Sequence, residues 1–245
     1  MRQRIGRLIC LFYSLVFSHV CIGQSYLSDS AFYRQAVDHA VGLYVNSLGE
    51  NSHLYNGSEY IFSSHGIKGS PFFFSDQPLI GSINYDGTAY ENVHFSYDVV
   101  QDRIFLTEKG MGFNIQLINE KIASFTLEGH RFIHIHADSS NDLSFGDGFY
   151  DLLYAGPSTA IAKRKKQVDE GFKAEDSLKY NSYNFFFVKK SKSYERVENK
   201  NSLIDLFPDQ KDKIKKFYRK NKRLFKKNLE EATVRTCEYY DQLKK

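Results

Sequence analysis

Cysteine is nearly absent from this chain: Cys10, Cys21 and Cys237 are the only three in 245 residues. The first two fall in an N-terminal run that reads as an export signal, so the exported form keeps Cys237 alone and forms no internal disulfide. A small scaffold stapled by bridges is thereby excluded. Tryptophan is missing, methionine occurs twice and proline four times. After the N-terminal run no apolar stretch approaches the ~20 residues of a membrane helix, so no integral span is expected in the mature chain. HExxH, GxSxG, the Walker loop and GxGxxG are all missing, which removes the enzyme classes that those motifs mark.

What stands at the N-terminus is Arg2, Arg4 and Arg7 without an acid, followed by an apolar stretch over 8–22 that is short for a bilayer. That pattern predicts a secretory signal over 1–23, cut just before Gln24. Cys21 follows Ser18, His19 and Val20. A lipid-attachment box wants small residues where His19 and Val20 stand, so a soluble product is expected.

Phenylalanine (21) and tyrosine (17) are abundant, and aromatics suit pleated, half-buried surfaces. Apolar residues at three-four spacing over 30–48 predict a leading helix with one buried stripe including Phe32, Ala36, Val37 and Tyr44. A loop is expected over 51–69. Short strands are predicted at 71–74, 80–85, 88–100, 103–107, 114–118, 122–127, 131–136, 149–154, 159–164, 183–189 and 194–198. Their short joints permit hairpins and exclude crossover helices, so the sheet should be antiparallel. Asp86-Gly87 is the strongest hairpin signal, since a type I′ turn needs positive φ at both central residues. In the strand that follows, Val93, Phe95, Tyr97 and Val99 should face a core, while His94, Ser96 and Asp98 face water or a ligand.

Past 199 the period becomes helical. Ser202 is expected to cap a short turn, Pro208 to open a helix over 209–223 with Ile214, Phe217 and Tyr218 on one side, and Asn228 with Glu231 to cap a last helix reaching Leu243. The expected domains are 24–199, the leading helix plus the β-meander, and 200–245, a basic helical segment packed on the sheet.

Charge divides the chain. Residues 25–160 hold six Lys plus Arg against sixteen Asp plus Glu, and residues 161–245 hold twenty-four against thirteen. Either the two parts neutralise each other on packing, or the basic part meets an anionic partner. The densest run lies between Lys211 and Lys227, and Lys215, Lys216, Arg219, Lys220 and Arg223 are the expected partner-binding residues. An exported protein rarely meets nucleic acid, so none is expected. His134 and His136 should share one strand face, opposite Ile133 and Ile135, and form a weak metal candidate with Asp138 or Asp142 as an oxygen ligand. No metal, cofactor or catalytic residue is assigned. Asp147, Gly148 and Asp151 lack the closing Glu of a calcium loop and read as a turn.

The runs Gly81-Ser82-Ile83-Asn84-Tyr85-Asp86-Gly87, Tyr90-Glu91-Asn92-Val93, Tyr97-Asp98 and Gly148-Phe149-Tyr150-Asp151-Leu152-Leu153-Tyr154, with Arg219-Lys220-Asn221-Lys222 and Tyr239-Tyr240-Asp241 near the end, resemble a family of uncharacterised exported envelope proteins of Gram-negative bacteria. The resemblance covers most of the mature chain. It implies a periplasmic or outer-membrane-associated setting and brings no catalytic residues with it.

The expected fold is α+β: an N-terminal helix, a large antiparallel meander curling toward an open barrel, and the basic helical segment. Three functions follow, in order. The first is a non-enzymatic envelope protein that binds another protein or an anionic membrane surface. The second is a periplasmic carrier holding a lipid-like ligand in a curved-sheet cavity, and the third is a hydrolase with an unrecognised site.

Overall fold

The computed structural model describes residues 57–61, 66–107, 114–136, 146–169, 178–190, 193–222 and 228–244, with Tyr33, Ala36, Val37, Leu54 and Phe225. The signal segment, its cleavage site, Cys10, Cys21, Asp138 and Asp142 lie outside the described residues. The chain divides into two units, Met1–Glu50 and Asn51–Lys245. In the first, Tyr33, Ala36 and Val37 are helical, as the 30–48 spacing predicts. Ala36 and Val37 are nevertheless exposed, so the expected buried stripe is uncovered at those two positions.

The second unit carries eleven strands: β1 Ser58–Tyr60, β2 Leu79–Tyr85, β3 Thr88–Asp98, β4 Arg103–Thr107, β5 Asn114–Gln116, β6 Ile122–Leu127, β7 His130–Ile135, β8 Gly148–Tyr154, β9 Ala160–Asp169, β10 Lys179–Lys190 and β11 Ser193–Val197. Helices follow, among them α1 Lys200–Asp205, α2 Lys211–Lys220 and α3 Leu229–Leu243. One sheet holds all the strands in the order β1-β5-β4-β3-β2-β6-β7-β8-β9-β10-β11, every ladder antiparallel. The fold is thus broadly α+β, and the sheet is not closed into a barrel, since β1 and β11 remain its two edges.

Asp86 (φ 52°) and Gly87 (φ 78°) both take the left-handed conformation that the hairpin signal requires, and they join β2 to β3. The predicted strand at 71–74 does not form. It is joined to the sheet ladder by a single bridge, from Phe72 to Asp98, because Pro71 offers no donor and Ser70 turns the chain by accepting from the Phe72 amide. The segment becomes a strap instead: Lys68 pairs with Leu178 and Tyr180 at the start of β10, and Phe73 pairs with Tyr97 of β3. Conversely β1 occupies part of the expected loop, paired with β5.

Alternation divides the sheet into two faces. A single row of cross-strand neighbours runs Ile83, Phe125, Phe132, Asp151, Ala162, Phe186 and Val197. It is apolar on either side of one buried carboxylate. To one side lies an aromatic core in which Phe125 stacks on Phe132 at 4.7 Å and Tyr97 meets Phe125, Phe132 and Phe149 edge-on. These rings pack on one another, so this part of the interior is a filled core. To the other side Ala160 and Ala162 are small enough to admit helices, and Leu203, Phe207, Ile214, Tyr218, Ala232 and Cys237 close over them. The opposite face buries Tyr150, Ile161 and Phe187.

Caps set the helix starts. The cap of α1 is Asn199 and not the expected Ser202. Asn199 Oδ1 accepts from the Asn201 and Ser202 amides, and Ser202 Oγ accepts from the Asn199 amide, a reciprocal capping box. Asn228 caps α3 through the Glu231 amide as expected.

The sheet bends sharply. In a flat sheet β3 and β8 would stand about 19 Å apart at ~4.8 Å per strand. The β3–β4 turn nevertheless touches β8 and β9: Asp102 Oδ2 accepts from Lys163 Nζ at 2.6 Å and from the Phe149 amide at 3.2 Å. Lys163 Nζ also donates to the Phe149 carbonyl. The β8–β9 ladder stops at Asp151 and Ala162, so a carboxylate and an ammonium satisfy backbone groups that a neighbouring strand would otherwise serve. Gly148 is needed there because it sits at φ 141° and a Cβ would lie 2.0 Å from Asp102 Oδ2. The outward face of β3 is covered only toward its end: His94 is exposed as expected, whereas Ser96 and Asp98, expected toward water or ligand, are buried, and Asp98 accepts from the Tyr60 hydroxyl at 2.5 Å.

Candidate functional site

Over 208–220 the basic run folds as two elements. Pro208 opens a short 3-10 turn and α2 continues from it. Ile214 and Tyr218, four apart, are buried against the helix-side core. Lys213, Lys216, Phe217 and Lys220 fall at three-four spacing on another stripe of α2, with Arg219 beside them. Phe217 stacks on Tyr239 of α3, ring centroids 4.4 Å apart and planes within 9°. The result is a groove of about 440 Å³, floored by that aromatic pair and walled by Lys213, Lys216, Arg219 and Lys220.

Electrostatics separate this patch from the other cations of the segment. Lys211 is neutralised by Asp205 and Lys244 by Asp209, each at 2.6 Å. Among the described residues no carboxylate lies within ion-pair distance of Lys213, Lys216, Arg219 or Lys220. All four are exposed. The basic and acidic parts of the chain do pair, but elsewhere: Lys163 meets Asp102, and Arg164 meets Asp151. The α2 cations take no part in that neutralisation.

Of the residues predicted for partner binding, Lys216, Arg219 and Lys220 therefore line one groove. Lys215 does not; it is half-buried, a helical step of about 100° round from Lys216. Arg223 lies outside the described residues. Lys213 and Tyr239 were not singled out, although 213, 216 and 220 share a helical stripe that the sequence displays. Nothing in the sequence pairs Tyr239 with Phe217, because that contact joins two helices.

No family model, curated protein or solved structure matches this chain. The reading of the groove therefore rests on its own geometry.

The histidines disperse. His134 and His136 share the predicted face, with ring centroids 4.4 Å apart, while Ile133 and Ile135 pack on the other. Burial, and next the neighbouring His136, hold His134 below the ordinary histidine value. His134 Nδ1 is buried and has no hydrogen-bond partner among the described residues, and His136 lies 3.8 Å from Asp147. Among the described residues no group of three or more His, Cys, Asp or Glu is assembled to hold a metal ion. His130 goes elsewhere, its Nδ1 2.7 Å from Asp151 Oδ2. Cys237 is buried, and burial pushes its thiol far above the ordinary range. No helix among the described residues is long and apolar enough to cross a membrane.

Proposed function

We propose that this protein is an exported, non-enzymatic envelope protein that docks electrostatically on an anionic membrane surface through the α2–α3 groove. The observation that carries the reading is the set of four exposed cations that have no carboxylate partner among the described residues, gathered around an aromatic floor. Docking is peripheral. An amphipathic helix that inserts must offer its apolar face to lipid, and here Ile214 and Tyr218 are already buried in the protein's own core. The periplasmic or outer-membrane-associated setting rests on the N-terminal signal pattern and on the family resemblance.

Each basic residue near an anionic surface contributes about 1 kcal/mol. Replacing Lys216, Arg219 and Lys220 by Gln should then weaken binding to phosphatidylglycerol vesicles by about 3 kcal/mol, roughly 100-fold. Vesicle cosedimentation measures this, with circular dichroism confirming the fold. Binding should also fall steeply with salt and be lost on neutral phosphatidylcholine vesicles. Equal binding by the variant, or binding insensitive to salt, sinks the proposal. Capture of an acidic protein with no vesicle binding would replace the membrane by a protein partner.

A further inference from the structure

A second cleft lies at the seam between the aromatic core and the helix-covered core, on the face that carries the buried Asp151. Its volume is about 290 Å³, near the lower end of the range for small-molecule sites. Its floor is built from β7, β9 and β10, with Glu230 of α3 on one wall and Phe73 and Phe74 of the strap on the other. It is separate from the α2–α3 groove and shares no lining residue with it.

The floor is rigid. Asp151 accepts from both Arg164 Nε (3.0 Å) and an Arg164 terminal nitrogen (2.6 Å), and it holds His130 Nδ1 at 2.7 Å. The other terminal nitrogen of Arg164 donates to Glu230 Oε2 at 2.6 Å. A chain of charge-assisted bonds thus presets the imidazole, the guanidinium and the Glu230 carboxylate before any ligand arrives. Beside them Ser182 and Asn184 are exposed on β10, and neither side chain has a hydrogen-bond partner among the described residues.

The rim is aromatic. Phe73 packs edge-on against His130 and Phe132, at 5.1 and 5.0 Å, while the adjacent Phe74 is 68 % exposed. One exposed ring is ordinary on a surface. One standing over a preset floor of planar polar groups is an apolar face paired with hydrogen-bonding edges.

Charge narrows the ligand class. Arg164 is balanced by Asp151 and Glu230. Lys166 keeps its charge but its Nζ is occupied by the Ser70 and Phe72 carbonyls, and Lys165, also in the lining, belongs to the odd-numbered set of β9 whose side chains alternate to the other face. Glu230 on the wall disfavours an anion. What remains is a mix of donors and acceptors with an aromatic ledge. We propose that this cleft binds a neutral polyhydroxylated ligand, a saccharide unit, with its C–H face on Phe74 and its hydroxyls on Asn184, Ser182 and Glu230.

The absence of tryptophan supplies the assay. Phe74→Trp keeps an aromatic ledge and places the sole indole of the full chain at the rim. Its emission is titrated with glucose, galactose, mannose, N-acetylglucosamine and the β-1,4 dimer of N-acetylglucosamine. A saturable change with at least one sugar, at a dissociation constant of about 1 mM or tighter, is expected. Adding Asn184→Ala to this reporter should weaken the response about tenfold, the equivalent of ~1.4 kcal/mol. Phe74→Ala, read by ligand-observed saturation-transfer NMR, should weaken binding to the same degree, with thermal unfolding unchanged because both side chains are exposed. No saturable change with any sugar overturns the proposal. So does a response to inorganic phosphate alone, and so does sugar binding that survives both substitutions.

Discussion

Asp102 is the place to test how the bent sheet is held. It sits at φ 59° in the β3–β4 turn, accepts from the Tyr97 hydroxyl at 2.5 Å, and joins Lys163 and the Phe149 amide where the β8–β9 ladder ends. The Lys163 side chain is 3 % exposed and that of Asp102 20 %. Burial keeps the Lys163 ammonium below the ordinary lysine value even with Asp102 beside it. Removing one partner of such a pair leaves a buried charge unmatched, at a cost of about 3–5 kcal/mol. Asp102→Asn keeps an acceptor and tolerates the left-handed backbone, so it belongs near 3 kcal/mol. Asp102→Ala also strands the Tyr97 hydroxyl and strains the turn, so it belongs near 5 kcal/mol. Lys163→Met in the Asp102→Asn background removes the stranded charge, and the double variant should return to within about 1–2 kcal/mol of the parent. Urea unfolding followed by far-ultraviolet circular dichroism gives these differences from the midpoint at constant slope. Asp102→Asn within about 0.5 kcal/mol of the parent, or effects of the two substitutions that simply add, would refute the account.

Two further outcomes follow from the N-terminus and from His134. Mass spectrometry of the native protein should find a terminus near Gln24; an intact Met1 would count against export, and an acyl group on Cys21 would count against a soluble product cut before Gln24. His134 binds its proton more weakly when folded than unfolded. The unfolded chain therefore holds more protons below about pH 6.5, and the stability owed to neutral His134 is present above that pH and is lost as pH falls. Its share of the slope is at most about 1.4 kcal/mol per pH unit, so melting curves of His134→Gln should show a flatter decline between neutral and mildly acid pH. A decline identical to that of the parent would remove His134 from the explanation.

Local patterns were readable in advance where the physics is local. Asp86-Gly87 made its turn because positive φ at two successive positions selects these residues whatever surrounds them. The short joints forced antiparallel pairing, and the Asn228 cap and the 213–216–220 stripe needed one helix each. Pro71 was legible too, and assigning a strand at 71–74 overlooked its missing donor. Ser202 and Asn199, three residues apart, both suit a cap by residue type, and only the backbone angles give the role to Asn199.

Composition and pattern by themselves determined the cysteine-poor, aromatic-rich, antiparallel character of the chain, its charge division and the basic helix α2, since each depends on neighbours in sequence. The tertiary structure alone decided which charges cancel and which stay free. Asp102 reaches Lys163 across 61 positions, and Arg164 joins Asp151 to Glu230, whereas Lys216, Arg219 and Lys220 are left facing solvent. The stacking of Phe217 on Tyr239 and the seam cleft beneath Phe74 have the same origin. Such contacts depend on how far a sheet bends and where helices land, and that geometry is set by the packing of the whole row from Ile83 to Val197, which no window of sequence contains.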